Sequence, residues 1–112
     1  MEKLNYRELV QTILKCHSDN HLDNDTNDTE VQILFDMERD HYQLVHVGWQ
    51  GQRRIYGCIV HVDIKDGKIW IQRDGTEVGV ANELFNAGVP KNDIVLAFQS
   101  PYKRQFTDYA VS

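Results

Sequence analysis

The sequence predicts an α+β fold: an N-terminal helix packed on a mainly antiparallel sheet of about four to five strands, with a second helix after the strand that carries Trp70. Three observations predict it. Apolar residues recur at helical spacing near the N-terminus, and runs of period-two alternation separated by turn pairs fill the middle. Residues 69–90 then pack a strand, a capped turn and a helix into one unit.

The first helix follows from Leu4, Leu9, Val10, Ile13, Leu14 and His17, with Glu2, Lys3, Glu8, Gln11 and Lys15 on the remaining positions. That is an amphipathic stripe of about four turns. Residues 18–28 collect Ser, Asp, Asn and Thr with only Leu22 to bury, which predicts a loop, because such side chains bond the nearby backbone in turns. From Glu30 the period becomes two: Val31, Ile33 and Phe35 face one way and Gln32, Leu34 and Asp36 the other, predicting a strand to Met37 or Glu38.

Arg39-Asp40 suits a tight turn, after which Tyr42, Leu44, His46 and Gly48 alternate with Gln43, Val45, Val47 and Trp49, so the two strands form a hairpin. Gly51 supplies the next turn. Along the third strand Tyr56, Cys58, Val60, Val62 and Ile64 alternate with Ile55, Gly57, Ile59, His61 and Asp63. Both of its faces are partly apolar, which predicts a central place in the sheet with the N-terminal helix over one side. Asp66-Gly67 is the strongest hairpin signal in the chain and links Ile64 to Ile69.

In the fourth strand Trp70 and Gln72 alternate with Ile69 and Ile71, so the indole lies on one face and the two isoleucines on the other. Asp74-Gly75 is a turn pair and Thr76 an N-cap. The helix runs through Ala81, Leu84 and Phe85 until Gly88 stops it, and Pro90 prevents its resumption. Glu77 then falls in the first helical turn, where its charge suits the dipole, and Asn82, Glu83 and Asn86 form the polar face. Asp93, Ile94, Val95, Leu96, Ala97 and Phe98 predict a last strand, ended by Ser100-Pro101. The tail carries Tyr102, Phe106, Tyr109 and Val111, enough apolar surface to pack on this domain or on a partner.

A chain of 112 residues accommodates one core, so a single domain over residues 1–112 is expected. Its 41% hydrophobic and 26% charged content is that of a globular protein. The net charge of −5 opposes attraction to a phosphate backbone and argues against direct nucleic-acid binding. Glu2, Lys3 and the polar residues that follow leave no signal-peptide core and no membrane span, so a cytoplasmic location is expected. Cys16 and Cys58 are isolated, which predicts reduced, structural thiols rather than a disulfide framework or a metal pair.

The run Asp66-Gly67-Lys68-Ile69-Trp70-Ile71-Gln72-Arg73-Asp74-Gly75-Thr76-Glu77, continued by Ala81-Asn82-Glu83-Leu84 and Ala87-Gly88-Val89-Pro90, resembles the XisI-like family of fdxN-element excision controlling factors. The likeness extends to Tyr6-Arg7, the strand from Tyr42 to Gly48, the segment from Asp93 to Phe98, and Tyr109-Ala110-Val111. Nearly the whole chain is covered. The resemblance implies a compact α+β unit, found mainly in cyanobacteria, and an accessory role in a DNA rearrangement of heterocyst development. In that setting a separate site-specific recombinase performs the reaction, and an XisH-like protein acts as a second accessory factor. It implies no catalytic residues and no cofactor.

The residues themselves offer several candidate chemistries, each set against a structural reading. His17 and His21 stand four apart beside Cys16, a spacing that places two imidazoles on one helix face, but no third metal ligand is marked. Asp36, Asp63 and Lys65 match the carboxylate and lysine set of a metal-dependent nuclease, against the reading of a charged strand end leading into a turn. Asp19, Asp23, Asn24, Asp25, Asn27 and Asp28 supply oxygen ligands in bulk without the glycine and glutamate of a calcium loop in register. Arg53-Arg54 and Lys103-Arg104 are the only basic doublets, the residues on which DNA binding would rest.

Gln72, Arg73, Asp74, Thr76 and Glu77 are the densest polar group, but no base or nucleophile is placed beside them by sequence. Capping and turn formation account for most of it, and the remainder is a candidate partner surface of Trp70, Gln72, Arg73, Asp74 and Glu77. Trp49 and Trp70 are expected in the core, because strand aromatics usually bury their area at home. Exposure of either would make it a docking anchor. The expectation is a non-enzymatic accessory protein acting through an XisH-like partner and a recombinase, with edge strands that also permit a homodimer.

Overall fold

The structure, a computed structural model, describes residues 5–23 and 28–112, with the side chains of 20–23 left out. Along the chain run α1 (Tyr6–Asp23), β1 (Asp28–Asp36), β2 (His41–Gln50), β3 (Arg53–Lys65), β4 (Lys68–Asp74), α2 (Val80–Asn86), β5 (Ile94–Leu96) and α3 (Pro101–Arg104). The five strands lie in the order β1-β2-β3-β4-β5. The first four pair antiparallel and β5 joins β4 in parallel, which makes the expected α+β architecture with β3 at the centre.

One face of this sheet is buried by α1 and α2. Val10, Ile13 and Leu14 from α1 and Val80 and Leu84 from α2 meet Val31, Tyr42, Leu44, Val60, Val62, Ile69 and Ile71 in one cluster. Fully burying a Val, Leu or Ile contributes roughly 1.5–3 kcal/mol, so this layer carries most of the fold's stability. Two polar ties hold α1 in place. Arg7 donates two hydrogen bonds to Asp40, at 2.7 and 3.1 Å, and the Tyr6 hydroxyl donates to Asp93. The Arg7 guanidinium holds the Asp40 carboxyl below its usual value. Tyr42 donates to the same carboxylate at 2.7 Å, and burial, reinforced by Asp40, raises its phenol to about 12.

Several local expectations hold to the residue. Asp66 and Gly67 adopt φ of 55° and 75°, the left-handed pair a two-residue hairpin turn requires. Gly88, at φ 109°, ends α2 in a Schellman motif: Val89 N–H donates to Leu84 O and Gly88 N–H to Phe85 O, each at 3.0 Å. The buried pair Leu84 and Val89 completes the motif.

Other expectations need correction. The loop expected over residues 18–28 is helical to Asp23, because Ser18 continues the Leu14 face one turn later and is buried there. Residue 28 already belongs to β1. The last strand is three residues long rather than six: Asp93 closes a short 3-10 turn from Lys91, and Ala97 turns back to donate to Val95 O. The unbroken alternation expected along β3 also fails. Leu44 pairs with Val60 but Val45 pairs with Cys58, so Ile59 is an extra residue in a bulge. Tyr56 and Cys58 therefore point away from the helices while Val60 and Val62 point into the core, and Tyr56 is 74% exposed against 0% for Val60.

Candidate functional site

The polar group expected to cap the second helix does so from a different residue. Asp74, at the end of β4, accepts from Thr76 N at 2.9 Å, from Thr76 Oγ1 at 2.6 Å and from Val80 N at 2.7 Å. The helix starts at Val80 with Gly79 as its N-cap, three residues later than the Thr76 reading predicts. Thr76 instead accepts from Gly79 N at 3.1 Å, and Glu77 stands in the preceding loop, outside the first turn. The long Asp74 loop is favoured because a carboxylate caps more strongly than a hydroxyl, and Gly79 takes φ 93° without a Cβ penalty. Gly75 closes the loop onto β3, its N–H reaching the carbonyl of the bulged Ile59 at 2.8 Å.

A second bulge decides what β4 presents to the other side. His61 pairs with Arg73 and Val62 with Ile71, leaving Gln72 as the extra residue. In a regular strand Arg73 would lie on the face opposite Gln72. With the bulge, Trp70, Gln72 and Arg73 all reach the face away from α1: Gln72 Nε2 donates to Asp63 Oδ2 at 3.2 Å and Arg73 Nε to Cys58 O at 2.7 Å. Trp70, paired in register with Asp63, is half-buried, and its indole N–H donates to Lys65 O at 3.1 Å.

This outer face collects what sequence spacing could not bring together. His41 pairs with Asp63 across β2 and β3, and His41 Nδ1 lies 2.8 Å from Asp63 Oδ1. His61, two residues before Asp63 and on the same face, places Nε2 2.9 Å from that same oxygen. Leu34 and Trp49 also lie on this face, 50% and 48% exposed, and Arg54 stacks over the Trp49 and Tyr56 rings at 5.4 and 5.8 Å. Both tryptophans thus sit outside the core cluster, against expectation, because both belong to the sheet face that no long helix covers.

The remaining candidates separate. Asp36 folds back onto its own turn, accepting from Glu38 N and Arg39 N, and those amide bonds, Arg39's foremost, hold its carboxyl below the usual value. Asp63 lies two strands away, about 10 Å in sheet spacing, and Lys65 stacks on Trp70. The three do not converge on one site. Arg104 is engaged in tying down the tail, donating to Gln99 O and Ala97 O, and it lies beside Trp70. Trp70 pairs with Asp63, about 30 Å along β3 from Arg53, so the two basic doublets do not form one patch. His17 bonds Glu83 at 2.6 Å; the side chain of His21 and residues 24–27 of the acidic segment lie outside the described residues. Cys16 is exposed rather than structural, and burial pushes the Cys58 thiol up. The tail packs on this domain through Tyr109 and its backbone, Ala110 bridging Val95 and donating from its N–H to Ile94 O at 2.9 Å, but Tyr102, Phe106 and Val111, also expected to pack, are 69%, 71% and 50% exposed. Between α1 and the Asp74 loop opens a cavity of about 320 Å³ lined by His17, Val31, Leu44, Thr76, Glu77 and Val78. No helix among the described residues is long and apolar enough to cross a membrane.

Fold and site together define a small α+β protein with one sheet face under helices and the other open, carrying aromatic rings and a histidine-carboxylate cluster. The chain belongs to the XisI family, whose model, described as XisI protein, matches residues 1–111. A crystal structure of a XisI-like protein from Anabaena variabilis superposes with a TM-score of 0.89 at 52% identity, covering 96% of each chain. A second, of the fdxN element excision controlling factor XisI from the same organism, gives 0.81 at 36% identity, again over 96% of each chain. No curated protein sequence matches the chain.

Proposed function

We propose that this chain is a non-enzymatic regulatory protein that controls the excision of a DNA element through protein partners. One observation carries the partner reading: the sheet face away from α1 leaves Trp49 and Tyr56 exposed at 48% and 74%, with Arg54 stacked on both. Trp, Tyr and Arg dominate binding hot spots, and a soluble chain gains nothing by holding them in water. Family membership and the fdxN element excision controlling factor among its similar structures support the regulatory setting.

The partners of this reading are an XisH-like protein and a site-specific recombinase in the cytoplasm, with a homodimer through the β1 edge as a further assembly. The partner surface is Trp70, Gln72 and Arg73, extended across the outer face to Trp49 and Tyr56. Asp74 and Glu77, expected beside them, lie on the helical side instead, where Asp74 caps α2 and Glu77 lines the cavity with His17. With the chain as bait in a cyanobacterial host, a stable complex is expected, and it should be lost from a Trp49→Ser, Tyr56→Ser double variant that keeps its fold. Recovery of no protein partner, or of a complex indifferent to both substitutions, would overturn the reading.

A further inference from the structure

We infer that His41, His61 and Asp63 form a binding site for a late first-row divalent cation of the zinc class. Among the described residues this is the one group of three such side chains whose ligand atoms come together, all within 4.8 Å of one another. The donor set is two imidazole nitrogens and one carboxylate oxygen, the ligand types zinc takes, with the fourth position open to solvent.

The geometry is close to what the ion needs. Metal–ligand bonds of about 2.0–2.1 Å at tetrahedral angles separate neighbouring donor atoms by roughly 3.3 Å. His41 Nδ1 and His61 Nε2 now lie 2.8 and 2.9 Å from Asp63 Oδ1, so each contact must open by roughly half an ångström to admit the ion. Rotation about side-chain torsions supplies that without moving the backbone. His41 and Asp63 are partners in strand register and His61 stands two residues before Asp63, so two paired strands hold the donors.

The surrounding shell supports a ligand rather than a chance contact. Gln72, the bulged residue of β4, donates to Asp63 Oδ2, which orients the carboxylate and leaves Oδ1 facing the imidazoles. Bulges are over-represented beside functional sites because they re-aim a side chain. Gln72 already shares the Asp63 face with Trp70 by strand alternation, and the bulge turns its neighbour Arg73 to that face as well. Burial is graded as an ion site requires: the Asp63 side chain is 18% exposed, His61 29% and His41 51%, so the mouth opens on the His41 side.

The test is a titration of the full chain, first freed of metal by chelator, with Zn²⁺ by calorimetry and with Co²⁺ followed by its visible absorption. One ion per chain is expected, with a dissociation constant of about 10 µM or tighter. His41→Ala, His61→Ala and Asp63→Ala should each weaken it at least about tenfold, and Gln72→Ala by a smaller factor, all with unchanged far-UV circular dichroism. A Cys16→Ser, Cys58→Ser variant and a His21→Ala variant should bind as the parent does. Absence of binding at about 1 mM Zn²⁺, binding that survives loss of Asp63 or His61, or binding abolished by the cysteine or His21 changes would overturn the inference.

Discussion

Asp74 and Asp63 stand on neighbouring strands of one sheet and use their carboxylates in opposite ways. Asp74 faces the helical layer, where two backbone amides and a hydroxyl consume its oxygens and join β4 to α2. Asp63 faces outward and, among the described residues, holds side chains: His41, His61 and Gln72. A carboxylate that caps backbone does a job every folded copy needs. One that gathers imidazoles on an open surface contributes little to folding, because water offers the same groups comparable partners. Polar density along the sequence therefore marked the structural aspartate, and polar convergence in space marked the other.

The sharpest way to break this contrast is to remove each carboxylate in turn. Asp74→Ala should cost about 2–4 kcal/mol, since it strips charged hydrogen bonds from the start of α2 and leaves Val80 N–H unpaired. Urea denaturation followed by circular dichroism measures it; a loss under about 1 kcal/mol would show that the Asp74 loop is not what holds α2. Next comes Gly75→Ala, whose new Cβ would lie 2.9 Å from the carbonyl of Ile59. It should cost about 1–3 kcal/mol, because the bulge and the loop must part to make room. Asp63→Ala should shift stability by less than about 1 kcal/mol in the same assay.

Titration sharpens the same contrast between the helical layer and the outer face. The phenols of Tyr42 and Tyr6 are raised to about 12, in both cases first by burial and then by the aspartate each one donates to. Their folded values exceed the unfolded value of about 10, so the stability they contribute is complete below pH 10. It is lost as the pH rises toward 12. At the acid end Asp40 is depressed, chiefly by Arg7, so its contribution is present above an unfolded value of about 4 and falls away as the pH drops below it. Chemical denaturation at pH 7, 10 and 11 should show a progressive loss that Tyr42→Phe reduces. The smallest effect belongs to Trp49→Ser with Tyr56→Ser, within about 0.5 kcal/mol of the parent, as befits rings that no core contains.

Much of the helical layer was legible beforehand, and little of the outer face was. The Asp66-Gly67 turn, the Gly88 stop and the split of Ile69 and Ile71 from Trp70 are local matters of backbone sterics and strand period, and all stand as expected. The start of α2 differs from the expected one because Thr76 and Asp74 are both capping residues, and which of them caps depends on where Gly79 lets the chain turn. His41, His61 and Asp63 are not marked as a group by their spacing in the sequence. Twenty residues separate His41 from His61, and the nearest signal, His61 and Asp63 at strand spacing, is common in exposed strands.

By itself the sequence determined the class of fold, the sequence of helices and strands, the turns, and the family to which the chain belongs. Those rest on hydrophobic period, on the few residues that tolerate left-handed backbone, and on a dense motif around Trp70. The tertiary structure alone decided which polar residues meet. Because side chains alternate along a strand, one extra residue reverses the face of everything beyond it, and β3 and β4 each contain such a residue, Ile59 and Gln72. Bulges arise from pairing between distant strands rather than from local preference. They placed Tyr56 in solvent and brought Arg73 to the side of Gln72, on the face where His41 and His61 share the Asp63 carboxylate.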